Sequence, residues 1–344
     1  MSLHWKPDRG LGLRMGAALV LVVVLPVAFA YAFEFLLNTV GVALLAFATE
    51  KPWNGRFYLS PGLVLGAVAV GFVAQYVLAE GAALRAVGAR RVTSEGRPAL
   101  HETLTRLARQ ADVQTPRLAV ARTSVPNTFT VGRRPDRATV VVTTGLLDTL
   151  DDAELEAVLA HELAHVKNRD VSVMTLAYFL PSLTYFVAVA AYFVLVGVLR
   201  ALGGFRHVDD DGAKGLVVVV VVLVVSAVCT LLVSAAFWAA SYLLFRTLSQ
   251  YREFAADRGA AVITGDPAAL ASALRALDDG MSDVPDADLR AADGGVEALY
   301  VAPIDTYQFG EERELISSDV FPATHPPIEA RIDRLRSLAR EVEA

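Results

Sequence analysis

Cysteine is nearly absent: the 344-residue chain has one, Cys229, inside an apolar run. A single thiol closes no intramolecular disulfide and rules out a cysteine-based zinc site. Any metal must then be held by the six histidines and the carboxylates. Charge is also scarce, at 20% of residues, and its balance of −6 supplies no basic field. No platform of interleaved basic and aromatic residues appears, so nucleic acid is excluded as a partner. A cleavable leader is not expected, because the basic residues 1–14 precede an apolar run too long for a signal segment.

What is abundant is apolar: 54% of residues, gathered into blocks long enough to cross a bilayer, which takes about 20 residues. Four blocks stand out, at 15–37, 59–84, 171–199 and 216–245. The first contains Pro26 and ends near Glu34, read as an interfacial carboxylate. A nine-residue apolar stretch, 40–48, is too short to cross alone and reads as an interfacial extension of the first block. Four crossings put the N-terminus and both polar stretches on one side. Arg14, Arg85, Arg90, Arg91 and Arg246 flank the membrane there, against Lys51, Arg56, Arg200, Arg206 and Lys214 in the opposite loops. The positive-inside rule then makes the polar side cytoplasmic, with the chain multi-pass in the cell membrane.

The expected organisation is an N-terminal membrane hairpin (1–84), a polar stretch (85–170), a second membrane hairpin (171–245) and a polar tail (246–344). Leu100, Leu104 and Leu107 recur at helical spacing after Pro98. Residues 117–120, 128–131 and 139–143 read as short strands, and 132–137 as the turn of a hairpin. Asp151 and Glu154 form a capping-box pattern, Asp266-Pro267 marks another helix start, and Ile328, Ile332, Leu335 and Leu338 form the stripe of a last helix. The fold expected is a mainly α membrane protein with an α+β polar domain containing a small sheet.

The helix begun at Asp151 contains His161-Glu162-Leu163-Ala164-His165. Positions four apart share a helix face, so both imidazoles can reach one metal ion. Glu162 is set to activate water rather than to bind the metal. Two histidines on a solvated helix are the bland alternative, and the apolar Leu159, Ala160, Leu163 and Val166 argue against it. A third protein ligand would leave one position open for water. Glu253 and Asp257, again four apart, both qualify: one can bind the metal and the other can orient a ligand imidazole. The spacing does not choose between them. The metal argument also favours two crossings between His165 and Glu253, since only an even number returns the chain to the same side.

HELAHVKNRD, then a membrane hairpin, then YREFAADRGA resembles the HtpX branch of membrane zinc metalloproteases, within the gluzincin family that includes the CAAX prenyl proteases. PNTFTVG, ATVVVTTGLLDTLDDAELEAVLAHE, ALYVAPI and ATHPPIEARIDRL follow the same pattern, and the resemblance covers roughly residues 116–335. It implies one Zn2+ per chain held by His161, His165 and Glu253, with Glu162 as general base and Asp257 orienting a ligand histidine. It places Asn127, Thr128 and Phe129 at a substrate-binding edge strand, where threonines replace the alanines usual in the family. An edge strand holds a peptide extended through main-chain hydrogen bonds. His325, in a Thr-His-Pro-Pro segment, matches the family's His-Pro motif and is a candidate for stabilising the oxyanion; the plainer reading is a turn histidine.

The resemblance implies an endopeptidase for misfolded or damaged proteins, with membrane proteins as the expected polypeptide substrates. A site-specific processor of the CAAX type would have more membrane helices. A silent scaffold would lack part of the ligand set. A transporter would show charged or glycine-broken helices at mid-membrane.

Overall fold

The computed structural model describes residues 9–86, 88–132, 134–202, 210–282 and 326–343. Two compact units emerge. One gathers Met1–Met15, Gln75–Thr175 and Phe245–Ala344; the other gathers Gly16–Ala74 and Leu176–Leu244.

The second unit is built from apolar helices. Helix α1 (Arg9–Leu36) passes through a π-helical segment (Leu37–Gly41) into α2 (Val42–Thr49), and α3 (Pro61–Ala86) follows. After α7 (Asp170–Ala177), α8 (Phe179–Leu202) and α9 (Asp210–Thr264) contribute the rest. The stretch 40–48 is thus a helical continuation of the first block. Within the π-helical segment, Asn38 donates to the carbonyls of Glu34 and Phe57 and accepts from the Phe57 N–H, tying the segment to the loop before α3. Among the described residues, Gly16–Thr49, Asp170–Arg200 and Leu216–Thr264 are long and apolar enough to cross a membrane, and Pro61–Val77 is a shorter apolar helix. Inside the unit, Phe29 packs edge-on against Phe237 and Phe72 against Phe179. Val20, Leu63, Phe186 and Leu232 point outward, each more than 60% exposed. Water penalises such a surface and hydrocarbon does not.

The first unit holds a four-stranded sheet, β1 (Arg90–Val92), β2 (Arg117–Ala121), β3 (Thr128–Val131) and β4 (Thr139–Thr143), in the order β1-β2-β4-β3. β4 is parallel to β2 and antiparallel to β3. Its sequence, Thr-Val-Val-Val-Thr, is β-branched throughout and every residue is buried, as a strand paired on both sides requires. β3 terminates the sheet. β1 has no alternating signature and forms because it pairs antiparallel with β2.

Helices α4 (Pro98–Gln110), α5 (Thr144–Thr149), α6 (Asp152–Asn168), α10 (Pro267–Ser282) and α11 (Ile328–Glu343) complete this unit. Leu104, Leu107, Leu159, Leu163, Leu274 and Ile332 meet in one core, each fully buried. Asp266 starts α10 by accepting from the N–H groups of Ala268 and Ala269.

Gly145 is where the chain before β3 crosses the start of α5. A Cβ there would collide with the Ser124 carbonyl oxygen, and the glycine N–H donates to the Thr123 carbonyl. Gly145→Ala should therefore force the two backbones apart and cost about 1–3 kcal/mol, typical of overpacking. Thermal unfolding of the detergent-purified variant checks this; an unchanged transition would show that the crossing yields freely.

Candidate metal centre

Helix α6 is fixed at its start by the expected capping box: Asp151 Oδ1 accepts from the Glu154 N–H, and Glu154 returns the bond to the Asp151 N–H. Ten consecutive residues from Ala157 to Val166 are buried, so His161, Glu162 and His165 sit inside the fold. The imidazole centroids are 4.6 Å apart and the rings nearly perpendicular. Helix α9 brings Glu253 to them.

The distances suit one ion. His161 Nε2 and His165 Nε2 lie 3.0 Å apart, and each is 3.5 Å from an oxygen of Glu253. Tetrahedral zinc with ordinary bond lengths needs ligand-to-ligand edges of about 3.3 Å. The other ring nitrogens are engaged by carboxylates. His161 Nδ1 lies 3.0 Å from Asp257 Oδ1, and His165 Nδ1 lies 2.7 Å from Asp170 Oδ2. That pattern turns both Nε2 lone pairs toward the shared point. It also separates the two acids left open by spacing: Glu253 faces the Nε2 atoms and Asp257 faces Nδ1.

Charge gives a second test of fit. Glu162, Asp170, Glu253 and Asp257 are buried together with Arg252 and Arg331, none more than 5% exposed. With neutral imidazoles, four carboxylates and two guanidiniums leave a formal charge of −2. Such an excess is expensive away from water unless balanced, and a divalent cation balances it. Without the ion, protons take part of that role. Burial opposes charge on His161, but Asp257 and Glu253 outweigh it and raise its pKa to about 9. Burial also pushes the Glu162 carboxyl above its ordinary range, against the pull of the two histidines and Thr130. Burial works against the Arg331 charge as well, and Asp257 and Glu253 more than offset it, holding the guanidinium firmly protonated.

Glu162 is placed for chemistry. Thr130 on β3 donates to its Oε2 at 2.7 Å, and its Oε1 has no hydrogen-bond partner among the described residues. This bond also ties the terminal strand to the metal helix. A narrow cleft, lined by Thr130, Gly132 and Ala138 on one side and His165, Val166 and Val171 on the other, opens beside it.

The remaining expectations fall as follows. Thr128 and Phe129 lie on β3 at the end of the sheet, fully buried. Asn127 immediately precedes the strand; its N–H donates to Thr143 Oγ1 and its Oδ1 accepts from the Thr128 N–H, so it anchors β3 to β4. His325 lies outside the described residues. Four contributors were not anticipated: Thr130, Asp170, Arg252 and Arg331. Arg331 reaches from α11 to both Asp257 oxygens, at 2.9 and 2.6 Å, and to Glu253 at 3.3 Å. Its only sequence signal was an arginine interrupting the apolar stripe of the last helix. For Asp170 the signal was an acid five residues beyond His165.

Comparisons with known proteins identify the family. The profile of Peptidase family M48 matches residues 94–339. "Protease HtpX homolog 2" of Methanosarcina acetivorans is 38% identical over 343 residues, covering 99% of this chain and 100% of that protein. "Protease HtpX homolog 1" of Streptomyces coelicolor is 40% identical over 342 residues, covering 99% and 97%. "Protease HtpX homolog" of Moorella thermoacetica is 39% identical over 301 residues, covering 88% and 91%. The match takes in the apolar helices as well as the His-His-Glu cluster, and the chain belongs to Peptidase family M48 as an HtpX-like, membrane-associated metalloprotease.

Proposed function

We propose that the protein is a zinc endopeptidase that hydrolyses misfolded or damaged membrane proteins from the cytoplasmic side of the cell membrane. In this reading the chain crosses four times, within hairpins 1–84 and 171–245, and residues 85–170 and 246–344 together form the catalytic part. The four apolar blocks and the flanking arginines support that arrangement.

One zinc per chain is held by His161, His165 and Glu253, with Asp257 orienting His161. Bound there, zinc supplies a Lewis acid for the scissile carbonyl and lowers the pKa of water. Glu162 takes the proton of the attacking water on Oε1 while Thr130 steadies Oε2. As the carbon–nitrogen bond breaks, Glu162 returns that proton to the leaving amine. His325 is assigned to stabilise charge developing on the carbonyl oxygen. The substrate runs extended beside Asn127, Thr128 and Phe129, and the short Thr130–Glu162 bond keeps that strand next to the base.

The observation carrying this reading is the buried cluster of two imidazoles and a carboxylate, at distances one ion can satisfy and with a charge it would balance. The test is metal content together with casein cleavage by detergent-purified protein. About one zinc per chain is expected, with cleavage that stops on chelation and returns with zinc. Protein that takes up no metal even when zinc is supplied would overturn the reading.

A further inference from the structure

Asp170 and Arg252 stand at the two ends of the apolar excursion that separates His165 from Glu253 in the sequence. Both are buried, at 0% and 3% exposure. Helix α6 ends at Asn168, and Arg169 takes a left-handed conformation, φ 60° and ψ 32°. A left-handed arginine is unfavourable compared with glycine. The reversal it produces returns the first residue of α7 to His165.

An aspartate at a helix start ordinarily serves that helix, by bonding its free N–H groups or opposing its dipole. Asp170 does not bond its own helix. Its Oδ2 lies 2.7 Å from His165 Nδ1, and its Oδ1 has no hydrogen-bond partner among the described residues. Arg252 completes the arrangement from α9. Its Nε pairs with Asp170 Oδ2 at 3.4 Å without a hydrogen bond, and its Nη2, 3.3 Å from His165 Nδ1, makes only a charge contact there when Nδ1 carries the proton. The residue preceding ligand Glu253 thus neutralises the acid that holds ligand His165.

We infer that Asp170 and Arg252 are positioning residues for His165: Asp170 accepts the Nδ1 proton and leaves Nε2 free for the metal, while Arg252 holds the Asp170 carboxylate in place. This rests on the zinc-protease reading above. One consequence is topological. The chain on both sides of residues 171–245 is tied to the same ligand, so metal affinity depends on the ends of that excursion being held together. A carboxylate partner of a metal-binding imidazole fixes its tautomer and raises its basicity, and losing one typically costs 10–100-fold in metal affinity.

The test measures zinc affinity by competition with a chromophoric chelator, and the visible spectrum of the cobalt-substituted protein, on the full chain in detergent. Asp170→Asn should weaken zinc binding by about 10–100-fold and shift the cobalt bands. Asp170→Glu, which keeps an acceptor and a charge, should recover much of that loss. Arg252→Gln should weaken binding less than Asp170→Asn does, and it carries the test if Asp170→Asn does not fold. Wild-type affinity and an unchanged cobalt spectrum in both Asp170→Asn and Arg252→Gln would overturn the inference while leaving the zinc site intact. Equal zinc loss in Asp170→Asn and Asp170→Glu, with the metal-free unfolding temperature equally lowered, would overturn it in favour of a purely structural role. Wild-type protein that binds no zinc would remove the site itself and this inference with it.

Discussion

Glu162→Gln is expected to cut casein cleavage by about a hundred- to ten-thousand-fold, the range for losing a positioned general acid–base, while the protein keeps about one zinc per chain. The separation of the two readouts follows from the geometry. The nitrogen and oxygen atoms that converge on one point belong to His161, His165 and Glu253, not to Glu162. Glutamine has the shape of glutamate and can still accept the Thr130 hydroxyl hydrogen at its amide oxygen, so the strand remains tied to the helix. What it lacks is a group basic enough to take a proton from water. A variant that lost zinc along with activity would make Glu162 part of the metal shell. A variant that still cleaved casein would place the base elsewhere.

Much of this site could be read from residue order, because it depends on helical spacing. His161 and His165 lie one turn apart on any helix, and the helix itself was signalled by Asp151 and Glu154. Glu253 and Asp257 share a face for the same reason, but spacing could not assign their roles. The assignment depends on which ring nitrogen each acid meets, and that is a matter of helix packing. Asp170 escaped notice because its role depends on one left-handed residue, Arg169, that reverses the chain. Arg331 escaped because an arginine in an amphipathic helix ordinarily points to solvent, and the acids that hold this one buried lie some 75 residues earlier. β1 was missed because three residues carry no periodicity, and the helical continuation after Leu37 because a π-helical segment has no sequence signature of its own. The apolar blocks were legible for the opposite reason: hydrocarbon demands a long uniform composition rather than a particular partner.

The roles of Glu253 and Asp257 should separate cleanly in a pair of variants. Glu253→Gln should abolish cleavage and lower zinc affinity by more than the roughly 10–100-fold that loss of an orienting partner costs, because it alters a donor to the ion. Asp257→Asn should stay within that range. Stability should order them the other way. Asp257 accepts two short bonds from the buried Arg331, whereas Glu253 lies 3.3 Å from it. Neutralising Asp257 leaves a fully buried guanidinium with its closest counter-charge removed, and breaking a buried pair in this way costs about 3–5 kcal/mol. Neutralising Glu253 removes one of four buried carboxylates that outnumber the two guanidiniums, an excess that protons already offset in part when the ion is absent, so metal-free Glu253→Gln should unfold near the metal-free wild-type temperature. Opposite rankings in zinc affinity and in metal-free stability would identify Glu253 as the ligand and Asp257 as the brace. The same ranking in both measurements would mean that the two acids act only as a shared pool of negative charge, and the distinction drawn from the ring nitrogens would fail.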